Sequence, residues 1–295
     1  DGLRIMRAVR FACVLNFQFE TETERAIKEY SYLLKNIARE RIQVELNKIL
    51  ISSWAGYGLE TLARLNCFPY FMPEFCHTWH FAQEGSRHQF DIFTHTLKAV
   101  DVAPMLHLRL TMLLHDIGKP FVWKSCDGKD IYEGHSAAGA ELAGKILERL
   151  RYDKKTIHQV QNLIARHEQL LEATEVCMRR AVAELSFAGV YDLIAVKRAD
   201  VRAHSDALAQ LPLEVFSEME SLLAQIAQRG DCCSLKELAV SGRELTALGY
   251  KGKAVGDILE RLLDLVLENP DLNQKAYLLQ EIETGNLGAD RPGTE

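Results

Sequence analysis

Apolar residues recur at helical spacing along nearly the whole chain. An apolar residue every three or four positions places those side chains on one face of a helix, whereas a half-buried strand would alternate. Strand-type alternation is nearly absent. The pattern therefore predicts an all-α protein. The clearest apolar stripes are Ile42-Leu46-Ile49, Leu106-Leu110-Leu114, Leu142-Ile146-Leu150, Ile157-Val160-Ile164 and Leu259-Leu262-Val266.

Proline and glycine interrupt this helical pattern and divide the chain. The length of 295 residues is enough for two or three domains. We therefore predict three helical parts, at residues 1–84, 85–226 and 227–295. The breaks that suggest these parts are Pro69 and Pro73, Gly85-Ser86, Leu211-Pro212 and Gly230-Asp231.

Composition narrows the functional classes. With 35 basic and 41 acidic residues the net charge is −6, so any polyanion must be met by a local basic patch. The 7 cysteines form no CxxC pair, which favours reduced thiols in the cytoplasm over a disulfide framework. No apolar run approaches the roughly 20 residues of a membrane span, so we expect no membrane partner.

Six residues able to bind a metal follow one another through the middle segment. The pair His115-Asp116 is the strongest of them, because an apolar run ends there at Gly118 and Pro120. We expect the glycine to turn the chain away and leave a coordination position open. Imidazole and carboxylate suit one or two divalent ions such as Mg²⁺, Mn²⁺, Ni²⁺ or Co²⁺. The six candidate ligands are His95, His115, Asp116, His135, His167 and Asp200.

This metal-binding pattern is typical of a phosphoester hydrolase. We assign catalytic roles to His115 and Asp116, with Asp116 able to bridge two ions, and to Lys119 as a cation for the phosphate. For His167 an ordinary core position in an amphipathic helix stays open as an alternative. The remaining histidines have no companions in the sequence, so we expect them to be structural or exposed. They are His107, His158 and His204.

The opening helix carries a second candidate surface. Arg4, Arg7 and Arg10 recur every three residues, and Phe11 is expected to contribute to the opposite, apolar side. Such a row of guanidinium groups can contact phosphates. It can equally be a solvated helix face, and the spacing alone does not choose between the two.

A glycine-rich turn near the end of the chain is a weaker candidate for phosphate binding. Lys251 and Lys253 flank Gly252, and Gly256 is expected to open a helix. Backbone amides at such a helix start could hold a phosphate. Glycine and lysine also form ordinary loops, so both interpretations remain open.

The opening segment resembles a known family. The blocks DGLRIMRAVRFA at residues 1–12, LNF at 15–17 and ARERIQVELNKIL at 38–50 are similar to the neck and body of bacterial CCA-adding tRNA nucleotidyltransferases and their poly(A) polymerase relatives. In that family a Glu-Asp-x-x-Arg motif reads the base edge of incoming CTP or ATP, and Asp1 and Arg4 match its aspartate and arginine. The family glutamate would precede residue 1.

The resemblance extends to the end of the chain. The blocks FDIFTHTL at 90–97, LLHDIGKP at 113–120, GHSA at 134–137 and RAD at 198–200 resemble the embedded HD domain of this family. Residues 234–256 resemble its C-terminal tail. The three segments would then be a neck and body (1–84), an HD phosphohydrolase domain (85–226) and a tail (227–295). The family's catalytic head has no counterpart in residues 1–295.

The resemblance implies tRNA as the partner, with ATP and CTP used only when a head domain is present. It favours RNA contacts by Arg7 and Arg10, to which the turn with Lys251 and Lys253 is added as a candidate, and it implies hydrolysis of phosphomonoesters or 2′,3′-cyclic phosphates at the HD site. Three functions stay open: the tRNA-holding portion of a CCA-adding enzyme with an HD phosphohydrolase site, a free-standing HD phosphohydrolase, or a non-catalytic tRNA-binding scaffold. The sequence leaves the oligomeric state open.

Overall fold

The computed structural model describes residues 1–79, 81, 91–126, 129–204 and 213–284. These residues form 14 α-helices and a small antiparallel hairpin, β1 Lys124–Cys126 with β2 Lys129–Ile131, which confirms the all-α prediction. The helices are α1 Leu3–Leu15, α2 Thr21–Tyr30, α3 Arg39–Leu50, α4 Ala55–Arg64, α5 Ile92–Val102, α6 Leu106–Leu114, α7 Lys119–Val122, α8 His135–Arg149, α9 Lys154–Arg166, α10 Glu175–Ala203, α11 Glu214–Arg229, α12 Gly242–Ala247, α13 Lys253–Glu268 and α14 Lys275–Thr284. Short 3-10 helices lie at Ser31–Asn36, Phe68–Tyr70, Pro73–Thr78 and Pro270–Leu272.

The chain forms two compact units. The first comprises residues 1–169 and 192–213, and the second comprises residues 170–191 and 214–295. The predicted boundary at 84/85 lies outside the described residues, and so do the breaks at Gly85-Ser86 and Leu211-Pro212. The boundary at 226/227 falls inside α11. The division into three segments therefore stays a prediction about sequence organisation.

In the first unit, α1 packs against α3 and α4. Met6 and Val9 are fully buried there, and a Cβ atom on Gly58 of α4 would lie 2.4 Å from the sulfur of Cys13. The absence of that atom lets α4 approach α1 closely. Phe11 was predicted to join this apolar face, but it is 46 % exposed. The guanidinium carbon of Arg10 lies over the Phe11 ring, 4.2 Å from the ring centre.

The second unit has a separate apolar core, built mainly from α12, α13 and α14. Helix α12 begins with a local capping arrangement, in which the Glu244 carboxylate accepts the backbone N–H of Ser241 at 2.7 Å. The core residues include Val240, Leu245, Ile258, Leu262, Val266 and Leu278.

Within the described part of the chain, no helix combines the length and apolarity needed to cross a bilayer. All seven cysteines are free thiols. Four of the seven are buried, at Cys13, Cys67, Cys232 and Cys233.

Candidate metal centre

The turn after α6 presents the His115-Asp116 pair. Helix α6 ends at Leu114, so His115 occupies its C-terminal cap and Asp116 begins the turn towards α7. Both side chains are buried, with residue exposures of 0 % and 2 %. The Nδ1 atom of His115 lies 2.8 Å from the carbonyl oxygen of Met112, which directs Nε2 away from the helix. A short apolar helix that stops at the right residue therefore places two polar groups inside the protein.

Gly118 acts through close packing. Its φ of −75° is ordinary for any residue, so no left-handed turn is required. A Cβ atom at this position would lie 2.2 Å from the carbonyl oxygen of His135 and 2.7 Å from the nitrogen of Gly139. Gly118 thus lets the first turn of α8 pass directly against the His115-Asp116 turn. That it also leaves a coordination position open stays a prediction.

Two further imidazoles enter at helix ends. His135 is the first residue of α8, and His167 directly follows the last residue of α9. Their Nδ1 atoms lie 2.9 Å from the carbonyl of Tyr132 and 2.7 Å from the carbonyl of Ile164. Their Nε2 atoms approach each other to 3.3 Å. His167 is therefore the cap of α9 and faces the cluster, so the alternative of an ordinary helix-core position does not describe it.

His95 and Asp200 complete the set from two other helices. His95 lies in the first turn of α5, whose start is capped by the Asp91 carboxylate, 2.6 Å from the N–H of Thr94. Asp200 lies near the end of α10. The Nε2 atom of His95 is 2.9 Å from Oδ1 of Asp200 and 3.2 Å from Nε2 of His115.

Asp116 lies between the two pairs of imidazoles. Its Oδ2 is 3.4 Å from Nε2 of His115, and its Oδ1 is 3.5 Å from Nε2 of His135 and 3.8 Å from Nε2 of His167. All six predicted ligands thus meet, and their donor atoms form groups compact enough to hold a metal ion. Nitrogen and oxygen donors that converge in this way fit a borderline or hard divalent ion.

The electrostatics of the cluster keep its carboxylates ionised. Burial raises the pKa of Asp116, but the charges of His115 and Lys119 outweigh burial and hold that pKa well below its usual value. For Asp200 too, burial is opposed by hydrogen bonds from His115 and His95, and the pKa is held well below 3.8. Two anionic carboxylates at neutral pH are what a divalent cation requires.

The imidazoles respond in opposite directions. Burial lowers the pKa of His115, yet the negative charges of Asp116 and Asp200 raise it overall above 6.5. Burial, followed by the nearby charge of His115, lowers the pKa of His167 to about 4. His167 is therefore neutral at physiological pH, whereas His115 holds its proton up to a higher pH than an ordinary imidazole, so that metal binding there competes with protonation.

A pocket of about 480 Å³ opens beside the cluster. Lys119 lines it, but its Nζ is 2.7 Å from Oδ2 of Asp116, so its charge already pairs with that carboxylate.

Sequence reasoning missed Glu168, whose carboxylate lies 2.5 Å from Ser136 and 3.5 Å from Nδ1 of His135. Its position directly after His167 was the available signal.

His204 was expected to have no companion, and that expectation was wrong. It lines the pocket, and its Nδ1 is 3.3 Å from Nδ1 of His95. Its spacing of four residues from Asp200 on a helical segment could have indicated this. His107 instead lies 3.0 Å from the carboxylate of Asp192, and His158 is exposed, as expected.

The nucleotide and RNA candidates of the opening helix differ in their surroundings. Arg4 and Arg7 are exposed, whereas Arg10 is half-buried and lies 3.2 Å from the carboxylate of Glu45. The carboxylate of Asp1 accepts the N–H of Leu3 at 3.0 Å. Of the predicted arginine row, Arg4 and Arg7 are therefore the members open to solvent.

In the second unit, Lys251 and Lys253 are exposed beside Gly252, which has a φ of +56°. Helix α13 begins at Lys253, so Gly256 lies inside this helix and does not open it as expected. The two basic groups belong to different units, so each stands as a separate candidate surface.

Two family models match the described parts of the chain. Residues 16–78 match the family described as "Probable RNA and SrmB-binding site of polymerase A", and residues 92–235 match the HD domain. The chain is 30% identical over 285 residues to the CC-adding tRNA nucleotidyltransferase of Thermus thermophilus, covering 91% of this chain and 63% of that protein. It is 31% identical over 283 residues to the A-adding tRNA nucleotidyltransferase of Deinococcus radiodurans, covering 90% of this chain and 64% of that protein.

The fold is also similar to a solved structure, the Bacillus stearothermophilus CCA-adding enzyme in complex with CTP. The match has a TM-score of 0.67 and 18% identity, and covers 98% of this chain and 63% of that one. The chain thus spans a little under two thirds of the length of these relatives. On the matched families and the near full-length matches of this chain, the protein is a member of the CCA-adding tRNA nucleotidyltransferase and poly(A) polymerase family.

Proposed function

We propose that this chain is the tRNA-holding portion of a CCA-adding nucleotidyltransferase and that it carries an HD-type, metal-dependent phosphohydrolase site. The observation that carries the hydrolase part is the convergence of four imidazole Nε2 atoms and two ionised carboxylates beside one pocket. Polymerisation itself would need a head domain that supplies the machinery for phosphoryl transfer.

The donor set fits a divalent metal. His95, His115 and Asp200, whose donor atoms lie 2.9 to 3.5 Å apart, would hold one ion, and His135 and His167 would hold a second together with Asp116. When bound, such ions acidify a water and neutralise the charge that builds up on phosphate oxygens. Mg²⁺, Mn²⁺, Ni²⁺ and Co²⁺ are all compatible with nitrogen and oxygen ligands, so affinity order alone does not select among them.

The protein's own residues prepare the site. Backbone carbonyls hold three of the imidazoles in position, so little orientation remains to be lost on binding. Lys119 neutralises one oxygen of Asp116 and stands at the pocket wall, where its cation would also face a phosphate. A substrate that fits is a phosphomonoester or a 2′,3′-cyclic phosphate of the kind found on damaged RNA ends.

For the RNA part, we propose that Arg4 and Arg7, and separately Lys251 and Lys253, contact tRNA phosphates. These side chains are exposed, and the match to an RNA-binding family over residues 16–78 supports a nucleic-acid surface in the same unit as Arg4 and Arg7. Arg10 would contribute less, since Glu45 neutralises its charge.

Asp1 and Arg4 would read the base of CTP or ATP when a head domain is present. A cytoplasmic location follows from this proposal.

The decisive experiment measures phosphoester hydrolysis by the purified chain after loading with Mn²⁺, Ni²⁺, Co²⁺ or Mg²⁺. Substrates are p-nitrophenyl phosphate and 2′,3′-cyclic AMP. Asp116→Asn keeps the volume but removes the anionic ligand, so turnover should fall by orders of magnitude with an unchanged helical circular dichroism spectrum.

His158→Ala is the matched control, because His158 is an exposed histidine of α9, outside the cluster. It should leave turnover unchanged. If elemental analysis finds no metal in the loaded wild-type protein, or if Asp116→Asn keeps full hydrolysis, His115 and Asp116 are a structural pair and the hydrolase proposal is wrong.

A further inference from the structure

Three of the four clustered imidazoles are oriented in the same way, by a backbone carbonyl that faces Nδ1. In His115, His135 and His167, Nδ1 lies 2.7 to 2.9 Å from the carbonyl oxygen of the residue three positions earlier. Because a carbonyl can only accept, Nδ1 must carry a proton, so in the neutral ring the lone pair is on Nε2 and is directed into the cluster. The backbone therefore selects the ligating tautomer of these three histidines.

His95 is different because it lies inside the first turn of a helix. The other three histidines are at helix ends, where the carbonyl three residues earlier accepts from Nδ1, and the carbonyls of Tyr132 and Ile164 do so although each also accepts the backbone N–H of the same histidine. Within α5 the carbonyls three and four residues earlier take part in the helical hydrogen-bond ladder, and the N–H of His95 itself donates to the carbonyl of Asp91 at 3.0 Å. A different acceptor is needed for its Nδ1–H.

The atom that faces Nδ1 of His95 is Nδ1 of His204, at 3.3 Å, with the ring centres 4.7 Å apart. The other nitrogen of His95, Nε2, faces Asp200 and His115. A neutral His95 that ligates through Nε2 carries its proton on Nδ1, and this proton points at His204. His204 accepts it when its own proton is on Nε2, directed away from His95.

We propose that His204 is a positioning residue of the metal centre, the hydrogen-bond acceptor that holds His95 in its ligating tautomer and orientation. This inference rests on the proposed metal centre. It also accounts for the four-residue spacing: Asp200 of α10 would supply a ligand, and His204, directly after the last residue of that helix, would support the histidine that Asp200 contacts.

The test compares metal binding by wild type, His204→Ala, His204→Asn and His158→Ala. Mn²⁺ affinity is measured by isothermal titration calorimetry, and thermal unfolding of each metal-free variant is followed by circular dichroism. His204→Ala removes the acceptor and should weaken Mn²⁺ binding by about 10- to 100-fold, the usual effect of losing a partner of a ligating histidine. In His204→Asn the amide oxygen replaces Nδ1 as acceptor, so most of the affinity should return.

The outcomes separate the two proposals. A wild-type protein that binds no Mn²⁺ would contradict the metal centre itself. If wild type binds but His204→Ala binds equally well, His204 does not support His95. If His204→Asn is as weak as His204→Ala while both fold like wild type, His204 acts by something other than acceptance of a hydrogen bond, and the inference is again wrong. His158→Ala should bind like wild type.

Discussion

Two clusters of charged side chains, one in each compact unit, are built on opposite principles. In the second unit, Arg179 is 2 % exposed and donates to the carbonyls of Leu267 and Glu268 and to the carboxylates of Glu175 and Asp231. These groups neutralise one another. In the first unit, the imidazoles are oriented by groups outside the cluster, and their Nε2 lone pairs point at a common centre.

The difference teaches how to tell a structural polar cluster from a functional one. Around Arg179 every strong donor meets an acceptor, and the last carbonyls of α13, which would otherwise lack partners, are satisfied. Arg229 reinforces this by binding both Glu175 and Asp231 at 2.8 to 2.9 Å. The histidine cluster instead concentrates acceptors, which is stable only when protons or metal ions occupy the space between them.

The largest expected effect comes from removing one negative charge in each cluster. Asp116→Asn should weaken divalent-ion binding by more than the roughly 100-fold that marks the loss of an outer partner, because a direct anionic ligand is lost. Asp231→Asn, the same change in the second unit, should leave metal affinity unchanged. Calorimetric titration with Mn²⁺ measures both. Equal losses in the two variants would contradict the distinction between the clusters.

The reciprocal experiment addresses stability. Arg179→Met removes the central cation of the second cluster and should lower the free energy of unfolding by about 3 kcal/mol, because buried carboxylate and carbonyl groups lose their donor. Because Arg229 still forms an ion pair with Asp231, we expect the loss of stability to lie near the lower end of the range that is usual for breaking a buried ion pair. Urea titration followed by circular dichroism measures it.

The neighbouring Arg180 is the control for that experiment. It also forms an ion pair, 2.6 Å from Glu268, but its side chain is 53% exposed. Arg180→Met should therefore cost less than about 1 kcal/mol. If the two variants are equally stable, the Arg179 cluster does not stabilise the fold in the way its burial indicates.

The pH dependence sharpens the comparison further. The pKa of His115 is raised in the folded, metal-free protein, so its protonated form stabilises that fold. This stabilisation is complete below the pKa of histidine in the unfolded chain, about 6.5, and is lost as the pH rises through the raised pKa. Metal binding must expel this proton. Below the raised pKa, Mn²⁺ affinity should therefore increase by about tenfold per pH unit and level off above it.

The measurement is the metal-induced shift of the unfolding temperature at several pH values, with proton release from calorimetry in buffers of different ionisation enthalpy. The second cluster supplies the internal control. Hydrogen bonds from Arg229 hold the pKa of Glu175 and of Asp231 below their usual values, so that cluster does not titrate near neutral pH. A metal affinity independent of pH would contradict a protonated His115.

The smallest expected effect concerns charges that belong to neither cluster. Within the described residues, the side chains of Arg4 and Arg7 make no hydrogen bond or ion pair and are exposed. If they contact tRNA phosphates, the double Arg→Gln variant should reduce the slope of log affinity against log salt by about 1 to 2. Filter binding at several salt concentrations measures this. Arg180→Gln is the control, and identical slopes for the double variant and wild type would remove these arginines from the RNA surface.

Much of the fold and of the candidate centre was predictable from local signals. The helical spacing of apolar residues predicted the helices, because a period of 3.6 residues is a property of the chain itself. The pair His115-Asp116 stood out because an apolar run stops there at a glycine and a proline. The other candidate ligands, His95, His135, His167 and Asp200, were suggested by their residue types along the middle segment, and the structure brings all of them into one cluster.

What only the tertiary structure decided are contacts between residues far apart in the chain. His204 meets His95 across 109 positions, and Gly118 is required because α8 passes against it. Arg10 is neutralised by Glu45 of another helix, and Phe11 stays exposed on a helix whose opposite face is buried. Periodicity determines which face of a helix is apolar, but the partner of each side chain depends on how neighbouring helices pack, and local sequence does not encode that geometry.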